Sequence, residues 1–250
     1  MRPPTDDIVA PLFPRGLTWA NTAPLRMDKQ LRHPVLIEFW DFCRPSSLRT
    51  MRYLQAWHAR YAEAGLRVIS IHAPGYAAGL DEDAVVAAVA RLGIEHPVVL
   101  DTEHEIWLEY GNQGWPGRYL WNPRLRLHSF HYGEGGYEET EREIQALLEI
   151  DEPLTPPIHP EDDPDALIVV PTPDQEGPWS GAYAAGAVWA AFAGTGTITV
   201  NGEERAIDWP GARPLVEHPV HTEGVLDIEA GDGVEMLAVH FVPGLAPQDD

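Results

Sequence analysis

The 250-residue sequence contains one cysteine, Cys43, so no disulfide can form within the chain, and a reducing compartment is consistent with that. Cationic side chains are scarce. Lys and Arg total 17 against 39 Asp and Glu, a formal net charge of −22, which argues against nonspecific attraction to nucleic acid or to an anionic membrane surface. Long apolar runs are missing as well, since none reaches the roughly 20 residues that cross a bilayer. The opening Met1-Arg-Pro-Pro-Thr-Asp-Asp7 continues into Pro-interrupted sequence without the apolar core of a signal peptide. Together these absences predict a cytoplasmic protein with no nucleic-acid partner and no membrane insertion. No Gly-rich phosphate loop and no Ser-His-Asp signature stands out, and nothing in the sequence calls for a cofactor.

What is present reads as a folded protein: 44% apolar and 22% charged residues are ordinary globular values. Residues 1–33 form a Pro-rich lead-in that is expected to contribute a short pairing segment, and after them Pro34-Val-Leu-Ile-Glu-Phe-Trp40 is nearly continuous in apolar character. A strand buried on both faces of a parallel sheet has that composition. From Ser47 to Ala64, Leu48, Met51, Leu54, Trp57 and Tyr61 recur at the spacing of one helix face, and Gly65 supplies a stop. A second strand over 66–71, a helix over 82–92, a strand over 97–100 and a helical turn over 105–110 continue the alternation. Strand followed by helix, repeated, implies parallel pairing. A hairpin over 114–131 and an acidic-start helix over 138–150 complete one α/β domain, residues 1–150.

Residues 151–165 are rich in proline and acid, without helical or strand period, and read as a fairly extended linker. Beyond them, 187–192, 196–200 and 234–241 are strand-like runs separated by Gly-containing turns, and Asn201-Gly202 is a two-residue hairpin signal. Residues 166–250 are therefore expected to form a small all-β sandwich.

The segment Phe39-Trp-Asp-Phe-Cys-Arg-Pro-Ser-Ser-Leu-Arg-Thr50 resembles the active-site region of TlpA-type thioredoxin-like proteins, most closely the soluble C-terminal half of DipZ-type electron transporters. Tyr53-Leu-Gln-Ala-Trp-His58, Ile71-His-Ala-Pro74, Tyr110-Gly-Asn112, Trp115-Pro116 and Gly133-Glu-Gly-Gly-Tyr-Glu-Glu-Thr-Glu141 extend the match in order over about 100 residues. The resemblance implies an α/β thioredoxin fold, with a mixed central sheet flanked by helices. It also implies that the β-rich half is a carbohydrate-binding-module-like domain.

In that family a Cys-x-x-Cys motif opens the helix after the Phe-Trp strand end. Anchored without a gap on Phe39-Trp40 and Leu48-Arg49-Thr50, the two thiol positions fall on Arg44 and Ser47, and Cys43 stands one residue early. Thioredoxin chemistry needs a low-pKa thiolate to attack and a second thiol to resolve the mixed disulfide. Ser47 cannot resolve. Cys43 is read as a small buried hydrophobe, a relic, or a lone reactive thiol working with an external resolving thiol. Glu38 falls on the family's buried proton-accepting acid; its other reading is a carboxyl kept neutral, or paired with Arg44. Trp40, Trp115 and Pro116 are the groove residues the resemblance implies, with a cis bond expected at Trp115-Pro116.

Arg44 at a helix N-terminus opposes the macrodipole unless an anion is near. With the hydroxyls of Ser46 and Ser47 it forms the composition of an anion-binding corner, against the plainer reading of pairing with Asp41 or Glu38. In the β-rich half, Trp179, Tyr183, Trp189 and Trp209 are candidates for stacking on a sugar, although aromatics of small sandwiches are more often core. His218, His221 and His240 with Glu217 match no metal signature, so no metal is expected. The expectation is thus a redox-degenerate thioredoxin-like protein binding a peptide, thiol or small anionic ligand at the former active-site groove. A one-thiol oxidoreductase and a carbohydrate-binding protein are the alternatives.

Overall fold

A six-stranded mixed sheet organises the N-terminal part of the computed structural model, which describes residues 8–247. The opening Met1–Asp7 stretch lies outside the described residues. The strands of the sheet are β1 (Trp19–Ala20), β2 (Val35–Trp40), β3 (Arg67–His72), β4 (Val98–Leu100), β5 (Gly117–Trp121) and β6 (Leu127–Tyr132), in the order β1-β4-β3-β2-β5-β6. β2, β3 and β4 run parallel, whereas β1 pairs antiparallel with β4, and β5 and β6 extend the other side antiparallel. All six residues of β2 are buried, the burial its apolar composition anticipates for a central strand. The short pairing expected of the lead-in is β1, which sets Trp19 opposite Val99.

Four helices cover this sheet: α1 (Pro45–Tyr61), α2 (Glu82–Arg91), α3 (Glu105–Tyr110) and α4 (Tyr137–Leu148). α1 begins two residues earlier than its apolar period suggests, because Pro45 is pre-set for the first helical position and has no N–H to leave unpaired. It ends at Tyr61, three residues before the expected Ala64, and Gly65 at φ +115° closes the turn that follows by donating to the Tyr61 carbonyl at 3.1 Å. Asp81 caps α2 by accepting from the N–H groups of Asp83 and Ala84. One face of the sheet buries Val35, Ile37, Phe39, Ile69, Ile71, Val99, Ile106 and Tyr119 together.

Contacts divide the chain into two compact units. Among the described residues, unit 1 takes those up to 41, 46–74 and 80–156; unit 2 takes 42–45, 75–79 and those from 157 onward. Residues 152–155 of the Pro- and acid-rich stretch belong to unit 1 by hydrogen bonding. Glu152 exchanges bonds with the Gln145 side chain, Pro153 accepts from Arg60, and Thr155 donates to Glu141.

Unit 2 is all-β and antiparallel throughout: β7 (Ile168–Val169), β8 (Gln175–Glu176), β9 (Gly181–Gly194), β10 (Gly196–Val200), β11 (Glu203–Ile207), β12 (Gly211–Leu226), β13 (Ile228–Ala230), β14 (Val234–Val242) and β15 (Gly244–Leu245). They form sheets ordered β12-β9-β14-β8, β11-β10-β13 and β15-β7. Asn201 and Gly202, at φ +50° and +83°, make the two-residue turn between β10 and β11 that the Asn-Gly pair predicts. β9 and β12 are far longer than the runs visible in the sequence. Their register shifts at two places, so the apolar alternation is interrupted while the pairing continues. Val188, Phe192, Ile198, Leu226, Val239 and Phe241 lie in a single core cluster.

Among the described residues, no helix is long and apolar enough to cross a membrane. Ile37 is fully buried at the middle of β2. Ile37→Ala is expected to lower the unfolding free energy by about 2–5 kcal/mol, read as the shift in urea midpoint followed by far-UV circular dichroism.

Candidate functional site

The site expected from the sequence lies where β2 passes through Asp41, Phe42, Cys43 and Arg44 into α1. Asp41 is fully buried, and its N–H donates to Ser47 Oγ at 3.2 Å. Ser47 is thus an acceptor that closes the strand-to-helix turn. His72 ends β3 with Nε2 3.8 Å from Asp41 Oδ1. Burial drives the His72 pKa down to about 3, with the His104 charge acting in the same direction, so the imidazole beside the Asp41 carboxyl is neutral. The Trp40 ring meets the His72 ring edge-on at 5.1 Å.

Glu38 is buried at 1% exposure, level with Ser70 on β3 and Arg118 on β5. Neither carboxyl oxygen has a hydrogen-bond partner, so the expected pairing with Arg44 does not form. Burial raises its pKa from 4.5 to about 7, and the Arg118 charge pulls the other way without cancelling the effect.

Cys43 and Arg44 fall in the segment that contacts assign to unit 2. Cys43 is fully buried. The Phe42 carbonyl accepts from the Ala212 N–H at 2.9 Å, and Gly211, at φ +120°, lies so near the Phe42 ring that a Cβ there would stand 2.6 Å from it. Only glycine fits that position. Arg44 is half-buried, its guanidinium 4.9 Å from the Tyr76 ring centroid. Its charge also helps hold the Asp174 pKa down, behind the larger lowering from the hydrogen bond with His240. His240 Nδ1 stands 2.8 Å from Asp174 Oδ2. Ser46 is half-buried in the first turn of α1.

On unit 1, the Trp115-Pro116 bond is cis, as the resemblance implies. Trp115 Nε1 donates to the Ala73 carbonyl at 2.8 Å, and its ring lies 4.4 Å from that of Trp107. Asn112 Nδ2 donates to the Gly114 carbonyl while Asn112 Oδ1 accepts from Tyr119, so Tyr110-Gly-Asn112 fixes the approach to that loop.

The Gly133–Glu141 segment ties α4 to α1. Arg49 pairs with Glu134 at 2.7 Å, Thr50 shares a hydrogen bond with Tyr137, and the Tyr53 and Tyr137 rings stack at 3.7 Å. Glu141 accepts from Tyr61 at 2.6 Å and Arg60 at 2.8 Å. Sequence reasoning does not single out Arg118. Its signal there is a lone cation inside an otherwise apolar strand, and only the β2–β5 register reveals that it faces Glu38.

In unit 2 the aromatic candidates are separately employed. Trp179 packs edge-on against Phe241 at 5.4 Å beside the core. Trp189 stands on β9 opposite Pro214 and His240, and Trp209 is exposed with Arg213 over its ring at 5.0 Å. Tyr183 is buried and shares a hydrogen bond with His218 at 2.9 Å. Among the described residues, no three His, Cys, Asp or Glu are grouped to hold a metal ion, and this includes His218, His221, His240 and Glu217.

The β2-turn-α1 unit, the parallel β2–β3–β4 core and the antiparallel β5–β6 hairpin behind the Trp115-Pro116 turn define a thioredoxin-like fold for unit 1. Comparison with known proteins agrees. A protein from Chlorobium tepidum assigned as a thiol:disulfide interchange protein DsbE superposes with a TM-score of 0.50 at 19% identity, covering 56% of this chain and 95% of that one. Protein DipZ of Mycobacterium tuberculosis is 33% identical over 138 residues, 54% of this chain and 20% of DipZ. The thiol-disulfide oxidoreductase YkuV of Bacillus subtilis is 23% identical over 130 residues, 52% of this chain and 87% of YkuV. The chain thus spans about a fifth of the length of DipZ. No family model matches the chain.

The shifted Glu38 carboxyl yields a pH prediction. With a native pKa of about 7 against 4.5, the native state between those values keeps a proton that the unfolded chain has released. Stability from this group therefore falls as pH rises through the window. Glu38→Gln removes the effect. The variant is expected to gain on the wild type from pH 4.5 to 7 and to hold a constant advantage above, on the order of 3 kcal/mol in all. Urea unfolding of both proteins across that range measures it, and a pH-independent difference would show that Glu38 does not titrate there.

Proposed function

We propose that this chain is a redox-degenerate thioredoxin-like protein, which binds a peptide, thiol or small anionic ligand at the corner between β2 and α1 instead of exchanging disulfides. The observation that carries this reading is the state of its only cysteine: Cys43 is fully buried, and the resemblance sets the family's two thiol positions on Arg44 and Ser47. Dithiol turnover needs an accessible thiolate and a resolving thiol, and neither is at hand. Arg44 supports the binding half of the reading. It brings a half-buried cation beside the first turn of a 17-residue helix, whose N-terminal end favours negative charge. The similarity to YkuV supports a redox ancestry for the corner. The residues that now stand there favour recognition over electron transfer.

Insulin-disulfide reduction with dithiothreitol is expected to run no faster with this protein than without it, and Cys43 is expected to react with Ellman's reagent only after denaturation. Reduction at a rate comparable to thioredoxin would overturn the reading. Titration with inorganic phosphate, followed by amide NMR shifts, is expected to perturb residues 44–48 in the wild type and to leave Arg44→Ala unaffected. Identical responses in both proteins would remove the anion from the proposal.

A further inference from the structure

Residues between Leu12 and Asp28 wall a cavity of about 390 Å³ on unit 1 that shares no residue with the corner between β2 and α1. Its size lies at the small end of the range for sites that enclose a small molecule. The walls are aromatic and set in place. At Gly16, φ +86°, the chain bends so that Phe13 meets Trp19 edge-on, with ring centroids 5.3 Å apart. Trp19 is pinned by its pairing with Val99, and Phe13, Trp19 and Leu25 pack on the sheet core, where Met27 is fully buried. Pro14 and Pro24, which also line the cavity, each fix their own φ. A wall held in this way needs little reordering to receive a ligand, so little affinity is lost to it.

The charged side chains that line the cavity are Arg15, Arg26 and Asp28, and they are not equivalent. Arg26 is held by Asp28, whose two carboxylate oxygens it meets at 3.0 and 2.6 Å. Arg15 is exposed and has no acceptor among the described residues. The lining thus carries one cation in excess, on a chain of formal net charge −22. A local excess of positive charge on an acidic protein draws in an anionic group, and a guanidinium matches a carboxylate in bidentate geometry. An inorganic anion would leave the rings unused, and an uncharged hydrocarbon would leave Arg15 unused. An aromatic ring bearing one carboxylate engages both, because a third ring can meet Phe13 and Trp19 edge-to-face or offset-stacked.

We propose that this cavity binds a small aryl carboxylate, its ring against Phe13 and Trp19 and its carboxylate on Arg15. Titration of the full chain with phenylacetate, phenylacetamide and hexanoate, followed by amide NMR shifts, separates the charge from the ring. Phenylacetate is expected to saturate with a dissociation constant of about 1 mM or below and to shift amides between Leu12 and Asp28. Phenylacetamide, which lacks the charge, and hexanoate, which lacks the ring, are each expected to bind about fivefold more weakly or worse. Arg15→Gln, an exposed substitution that leaves the core packing alone, is expected to weaken phenylacetate about fivefold and to remove most of its dependence on salt. Trp19→Leu, checked for folding by circular dichroism, is expected to weaken it about tenfold. Arg44→Ala is expected to bind phenylacetate unchanged. The proposal is overturned if phenylacetate does not saturate, if its shifts fall elsewhere, if the amide or hexanoate matches it, or if Arg15→Gln leaves its affinity intact.

Discussion

Every side chain of β2 is out of water, and most of unit 1 follows from that condition. A strand buried on both faces must be flanked on both edges and covered above and below, since its backbone groups have no solvent to fall back on. β3 and β5 supply the edges, one parallel and one antiparallel. The helices supply the cover, and the direction change from β3 to β5 puts the Trp115-Pro116 turn at the same end of the sheet as the start of α1. The candidate corner is thus a geometric by-product of keeping β2 dry.

The same condition sets the electrostatics. A carboxyl on β2 has nowhere to be solvated, so Glu38 holds its proton to near neutrality. On β3 and in the segment leading to β4, His72 and His96 are forced neutral for the same reason, both to about 3. His96 keeps a hydrogen bond to Ser70 at 2.7 Å, which gives it a partner without a charge. Burial thus suppresses the charge of Glu38, His72 and His96, whereas the equally buried Glu141 is held by Arg60 and Tyr61.

Local pattern carries much of this structure into view. The apolar run before Trp40, the three-to-four spacing from Leu48 to Tyr61, the stop at Gly65 and the Asn201-Gly202 turn each depend on neighbours within a few residues, so each is written in the sequence. What depends on distant partners is not. Nothing near Arg118 announces Glu38, which is 80 positions away, and nothing in the alanine-rich stretch before Val188 announces that β9 runs back to Gly181 against a bulged β12. The Gly133–Glu141 motif is visible as a resemblance, but its purpose lies in Arg49, Thr50, Tyr53 and Tyr61, which belong to a helix about 80 residues upstream. At the corner itself, the single cysteine is plain from the residues, whereas the burial of Cys43 and the assignment of its segment to unit 2 require the fold.

The bond from the Asp41 N–H to Ser47 Oγ also bears on which residues position 47 accepts. Sulfur is a weak acceptor, so a cysteine at this buried position would loosen the turn that starts α1. A side chain with no acceptor would leave the buried Asp41 N–H without its partner, at a cost of about 1–3 kcal/mol. A single hydroxyl thus narrows what can stand at the entrance to the longest helix of the described residues.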